Sequence, residues 1–142
     1  MRLALAAALL AASSIAHSQG APSARDTATQ IVQRLAAGDI EAAAAQSNAP
    51  ERRREVLESY RKQVGEEAFR RVYAQYLRGR IVEEIVVGSH RLVIWDIGHI
   101  AGQFFVEKDG RFVLDDAPSE SRDKLRRALA DYRKARASGR KD

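Results

Sequence analysis

Ile81-Val82-Glu83-Glu84-Ile85-Val86-Val87, then Gly88-Ser89, then His90-Arg91-Leu92-Val93-Ile94-Trp95-Asp96-Ile97 are two β-branched runs joined by two turn residues. Branched and aromatic side chains suit a pleated, half-buried surface, and a Gly-Ser pair between two such runs is a hairpin signal. Downstream, Ile100 to Val106 and Arg111 to Leu114 flank Glu107-Lys108-Asp109-Gly110, a second hairpin with a glycine for the left-handed position. Gly98 and Gly102 bracket the start of the third strand and predict a bend or bulge there. Four antiparallel strands are expected.

Upstream of residue 80 the apolar period is helical. Asp26 is the expected cap of a first helix carrying Ala28, Ile31, Val32, Leu35 and Ala36, with Gly38 as its stop. Asp39 then caps a short second helix through Ala45. Ser47-Asn48-Ala49-Pro50 is a start signal, since proline costs nothing in the first turn of a helix, and Val56, Leu57, Tyr60 and Val64 form the stripe that Gly65 closes. Phe69, Val72, Tyr73, Tyr76 and Leu77 repeat at i, i+3, i+4, i+7 and i+8, which predicts a fourth helix over 66–78; the aromatic content leaves a strand over 69–77 as the alternative. After Asp115-Asp116-Ala117-Pro118, Ser119 opens a last helix striped by Leu125, Ala128, Leu129 and Tyr132. The fold class is therefore α+β: three or four N-terminal helices packed on a bent four-stranded antiparallel sheet, with a C-terminal helix, in a single domain over 26–137.

Met1-Arg2, the apolar run Leu3 to Ala12 and the small residues of Ala16-His17-Ser18 stand in the order of a secretory signal peptide. Residues 1–18 are read as that signal, with cleavage before Gln19 and a second choice after Ala16; residues 19–25 are a tether, and the product is periplasmic or secreted. The apolar run is too short to span a bilayer, so no transmembrane segment is expected. With no cysteine there is neither a lipid-anchored N-terminal Cys nor a disulfide, and the chain must hold together by burial. Its 142 residues, 45% hydrophobic and 30% charged, exclude collagen-like and wholly disordered classes.

The net charge of +5 is uneven. Residues 50–80 carry nine Lys/Arg against five Asp/Glu and residues 119–142 nine against four, whereas residues 81–118 carry three against seven. Arg52-Arg53-Arg54 lies among Glu51, Glu55 and Glu58 at i,i+3 and i,i+4 spacing, the pattern of a solvated helix face and not of a nucleic-acid site. The less balanced tail, Arg133, Lys134, Arg136, Arg140 and Lys141, is the candidate for weak contact with an anionic surface. Ser138 to Asp142 are read as a basic, frayed end.

Two segments carry a family likeness: Ala36-Ala37-Gly38-Asp39-Ile40-Glu41-Ala42-Ala43, a helix-to-helix turn, and Phe105-Val106-Glu107-Lys108-Asp109-Gly110-Arg111-Phe112-Val113-Leu114, the terminal hairpin. With helices preceding a bent antiparallel sheet, the chain resembles small exported bacterial members, of unknown function, of the nuclear transport factor two-like superfamily. The resemblance implies a cone in which helices close one face of the sheet and leave a pocket at the open end. Some relatives use that pocket as isomerases, dehydratases or cyclases, and others bind a ligand, dimerise or serve as accessory domains. The added C-terminal helix, and the absence of a clear strand between the early helices, depart from the family pattern.

The densest polar and aromatic cluster is Trp95-Asp96-Ile97-Gly98-His99. Asp96 or His99 is the candidate general base, with Trp95 as a pocket wall. In a regular strand Leu92, Ile94 and Asp96 share one face and Val93, Trp95 and Ile97 the other. If the first set faces inward, Asp96 sits among apolar neighbours that raise its pKa; if the second does, Asp96 is solvated or caps a turn. Trp95, Tyr60, Tyr76 and Phe69, with Tyr73, are candidates for binding a small apolar ligand, or else ordinary core. His90 is read as a surface hairpin histidine. No HxH or HExxH spacing, GxSxG or phosphate-binding glycine loop is present, so neither a metal nor a cofactor is expected. Two function classes remain: an exported, non-enzymatic domain binding a small ligand or an envelope protein, with a homodimer through the sheet as a further option, and a cone-fold isomerase or dehydratase using Asp96 or His99.

Overall fold

The computed structural model describes residues 20–139, so the expected signal peptide and cleavage site, and Arg140 to Asp142 of the tail, lie outside the described residues. Four helices come first: α1 (Ala24–Ala36), α2 (Ile40–Ala44), α3 (Pro50–Val64) and α4 (Glu66–Arg78). The strands β1 (Arg80–Val87), β2 (His90–Asp96), β3 (Ile100–Lys108) and β4 (Arg111–Leu114) follow, and α5 (Glu120–Ala137) ends the described chain. The class is α+β, and 69–77 is helix. The cap of α1 is Ser23 and not Asp26: the Ser23 hydroxyl accepts from the Asp26 backbone N–H at 3.0 Å, which places Asp26 in the first turn, where its charge favours the helix N-terminus. Asp39 and Ser119 cap α2 and α5 as their spacing predicts, accepting from Ala42 and Arg122.

The sheet is an antiparallel meander in the order β1-β2-β3-β4. Gly88 alone has positive φ in the first hairpin, whereas Asp109 (φ 52°) and Gly110 (φ 78°) both do in the second, which shortens that loop to two residues and extends β3 to Lys108. The expected bulge beside Gly102 is absent: β2 and β3 pair without a break from His90↔Val106 to Asp96↔Ile100, with Gly102 opposite Ile94. The register shift lies in β1, between Ile81 and Glu83. Gly102 serves close packing instead, because a Cβ there would stand 2.7 Å from Leu129 Cδ2 of α5.

Both alternating sets of β2 are buried. Val93 and Trp95 join Ala101, Phe105 and Leu114 in one core with Ala28, Ile31 and Val32 of α1 and Phe69 of α4. On the opposite face Leu92, Ile94 and Ile100 pack against Leu125 and Leu129 of α5. Each such large side chain contributes about 1.5–3 kcal/mol on burial, so the first layer, with many more buried residues, supplies the larger share of stability. The face opposite α1 and α4 is thus covered by α5, and Val86 at the β1 edge is 54% exposed.

Candidate functional site

Three elements converge on the turn between β2 and β3. Gln75 of α4 donates from Nε2 to the Ile97 carbonyl at 2.8 Å, and Arg133 of α5 donates from Nε to the Ile100 carbonyl at 3.0 Å. At the α4–β1 junction Gly79 passes so close that a Cβ would collide with the Asp96 carbonyl oxygen. Within the turn Ile97 N–H donates to the His99 carbonyl at 3.0 Å. Gly98, at φ 102°, gives its N–H to Asp96 Oδ1 at 3.1 Å. Arg136 donates from Nη2 to Asp96 Oδ2 at 3.0 Å.

Asp96 therefore stands at the end of the α5-facing set yet is not surrounded by apolar groups. Its carboxylate is held below the usual carboxylate range, first by the Gly98 N–H and then by Arg136, with Arg80 adding to the same effect. His99 is exposed, and no hydrogen bond or ion pair among the described residues joins it to Asp96. On either side of the turn lies an open concavity. One, of about 510 Å³, is lined by Gln75, Arg78, Arg80 and Asp96; the other, of about 560 Å³, is lined by His99, Ile100, Arg133 and Arg136.

The aromatic candidates form a continuous seam between the helices and the sheet. Tyr60 meets Phe69 at 5.8 Å between ring centroids, Phe69 meets Tyr73 at 5.1 Å, Tyr73 stacks on Tyr76 at 5.7 Å, and Tyr76 meets Trp95 edge-on at 5.3 Å. Phe69 is fully buried and Trp95 is 3% exposed, with its indole N–H donating to Gln103 Oε1 at 2.6 Å. Those two have no surface to offer a ligand. Tyr60, Tyr73 and Tyr76 are half-buried, and burial pushes the Tyr73 phenol up to about 12.

A second polar cluster escaped the sequence reading. Asp115, 5% exposed, accepts from Asn48 Nδ2 at 3.0 Å, while the Asp116 N–H donates to Asn48 Oδ1 at 2.7 Å. The Ser47 hydroxyl donates to Asp116 Oδ2 at 2.5 Å, and Arg53 makes a two-pronged pair with the same carboxylate. His90 is not a surface residue: its side chain is 16% exposed and its Nδ1 faces Asp115 Oδ2 at 4.0 Å. Ser47-Asn48 and Asp115-Asp116 each read as a turn signal in isolation. Their spare polar side chains, more than either turn needs, were the available hint that the two turns bind each other.

No three His, Cys, Asp or Glu side chains among the described residues are placed to hold a metal ion. No family model, curated protein or solved structure matches the chain.

Proposed function

We propose that the chain is an exported, non-enzymatic binding domain of the cell envelope that meets its ligand or partner at the arginine-flanked turn from Asp96 to Ile100. The observation that carries the reading is the commitment of the Asp96 carboxylate. A general base working near neutral pH needs a carboxyl raised by apolar surroundings, and it needs a free lone pair aimed at a substrate. Asp96 has instead a backbone N–H on one oxygen and a guanidinium on the other, and both favour its charged form. His99 stands in solvent without an orienting partner. Binding makes no such demand, and the two open concavities with four arginines around them supply a surface for it.

Kinship with the nuclear transport factor two-like superfamily is part of the same proposal. It is supported by the Gly38-Asp39 turn between α1 and α2 and by the Asp109-Gly110 turn of the terminal hairpin. Export is supported by the order of charge, apolar run and small residues from Met1 to Ser18.

Titration of the Asp96 carboxyl by carbon-detected NMR tests the choice between binding and acid–base catalysis. The expected result is a midpoint below that of an ordinary aspartate; a midpoint near neutrality overturns the non-enzymatic reading. For export, N-terminal sequencing of protein from the envelope fraction is expected to give a product starting at Gln19, and an intact Met1 there refutes this signal.

A further inference from the structure

We infer that the end of the molecule around the β2–β3 turn docks on an anionic, phosphate-bearing lipid surface, an inference that rests on the binding reading and names its partner. What carries it is a gathering of cations at one end of the fold: Arg78 and Arg80 line one concavity beside the turn, Arg133 and Arg136 line the other, and Asp96 is the one carboxylate in either lining. On α3 and α4, Arg53, Arg54, Arg61, Arg70 and Arg71 lie in ion pairs with Asp116, Glu41, Glu58, Glu66 and Glu67, while Arg52 and Lys62 stand exposed without one among the described residues. Around the turn, Arg78 of α4, Arg80 of β1 and Arg133 of α5 are exposed and have no ion pair among the described residues, and the same holds for Lys134 in the last turn of α5. Arg136 has one, to Asp96, whose single charge leaves the end strongly positive; Asp131 is the one other carboxylate on the C-terminal half of α5.

Helix C-termini favour cations, which accounts for Arg78 and Arg136 singly. It does not account for two helices ending at one turn, nor for Arg80, which belongs to a strand. Three elements bring four arginines to one turn around the single charge of Asp96, an excess of positive charge that an anionic partner complements. Leu77 indicates which one. In the last turn of α4, beside Arg78, it is 42% exposed. An exposed apolar side chain in the same helix turn as a cation suits the boundary between headgroups and acyl chains and gains nothing against the phosphates of a nucleic acid. The docking surface is thus the folded end of the domain, where the sequence pointed to the tail.

The test is co-sedimentation of the chain from Gln19 onward, which contains every described residue, with vesicles of phosphatidylglycerol mixed into phosphatidylcholine. Binding is expected at low salt, falling steeply as salt rises, with none to phosphatidylcholine alone. Each cation near an anionic surface strengthens binding about fivefold, so the triple variant R78Q/R80Q/K134Q is expected to bind about a hundredfold more weakly. The variant R52Q/K62Q/R71Q, with the same loss of charge on α3 and α4, is expected to stay within about threefold of the parent, and circular dichroism checks that both remain folded. Equal losses in the two triple variants overturn the inference, as does loss of binding when the chain is ended after Gly139. Failure to bind the mixed vesicles overturns it too, and so does tighter binding to mixed-sequence DNA at the same salt, or displacement by millimolar inorganic phosphate. The Asp96 titration is independent of all these, so an Asp96 midpoint near neutrality removes the binding reading, whereas vesicle failure with a low midpoint removes the lipid inference alone.

Discussion

Tyr73 stacks on Tyr76 inside the aromatic seam, and burial raises its phenol from the ordinary tyrosine value near 10 to about 12. A group whose pKa is raised by folding lends stability that is complete below its unfolded value and is lost as pH climbs through the folded one. The protein is therefore expected to weaken between about pH 10 and pH 12, by about 2–3 kcal/mol in all from this residue. Tyr73→Phe is expected to flatten that decline, read as melting temperature against pH; an unchanged alkaline slope in the variant refutes the assignment. Asp96 has the opposite sign: its pKa is depressed, so its small, solvent-screened contribution is present above the ordinary aspartate value and fades as pH falls through the folded one. At Asp115 the issue is burial. Asp115→Ala strips the acceptor from Asn48 Nδ2 in a part-buried site, and a loss of about 1–3 kcal/mol in urea unfolding is expected; less than about 0.5 kcal/mol would mean that water replaces the acceptor freely. Asp96 was legible in the sequence as a place to look, since an aspartate two residues before a turn glycine has an N–H within reach. Asp115 and His90 were not, because Asn48 lies 67 residues from Asp115 and His90 of β2 meets Asp115 beyond the end of β4, and no local pattern encodes such a distance.

At the scale of elements the two informative positions are Gly79 and Gly102, and they differ in what stands in the way of a side chain. A Cβ at Gly79 meets backbone, the Asp96 carbonyl, which cannot turn aside without parting β1 from β2. At Gly102 it meets the ends of two leucines, Leu129 Cδ2 at 2.7 Å and Leu92 Cδ1 at 3.0 Å, and leucine ends can rotate at some expense to packing. Gly102→Ala is accordingly expected to destabilise by about 1–3 kcal/mol, and Gly79→Ala by more. If the clash with α5 is the mechanism, Leu129→Ala in the Gly102→Ala background costs less than Leu129→Ala alone, and a double-mutant cycle in urea measures the difference; strict additivity would sink the explanation. These glycines also mark the limit of what periodicity tells. The boundaries of α3, α4 and β4 follow from caps, stops and apolar spacing, all of which act within a few residues. A glycine that permits a close approach looks in the sequence like one that makes a bulge, and the true irregularity at Ile81/Glu83 carries no glycine at all. The single cap misplaced, Asp26 for Ser23, came from two capping residues three positions apart, of which the first wins because it is the one with extended backbone.

For the molecule as a whole, the meander of strands has a helical layer on each side, and the two layers are unequal in how they are made. Toward α1 and α4 the core draws on four helices and on the aromatic seam, so that losing one contact leaves many others. Toward the C-terminus one helix alone covers Leu92, Ile94 and Ile100, through Leu125 and Leu129, with Phe104, Val82, Ile85 and Val87 at the margin. Ending the chain after Pro118 uncovers that whole face at once. Each of the three buried strand side chains forfeits about 1.5–3 kcal/mol, so the sum is comparable with the whole stability of a marginal domain, and an apolar sheet face in water invites pairing between copies. The truncated chain is expected to be insoluble, or to bind a hydrophobic dye and lose the near-ultraviolet circular dichroism of Trp95, a residue on the far face of the sheet from α5. That last readout decides the matter. If Trp95 keeps its native signal and the protein stays monomeric, α5 is an appendage on a self-sufficient core of α1 to α4 and the sheet. Collapse of the Trp95 signal means that the two faces of β2 are one cooperative unit, as the burial of both alternating sets on a single strand requires.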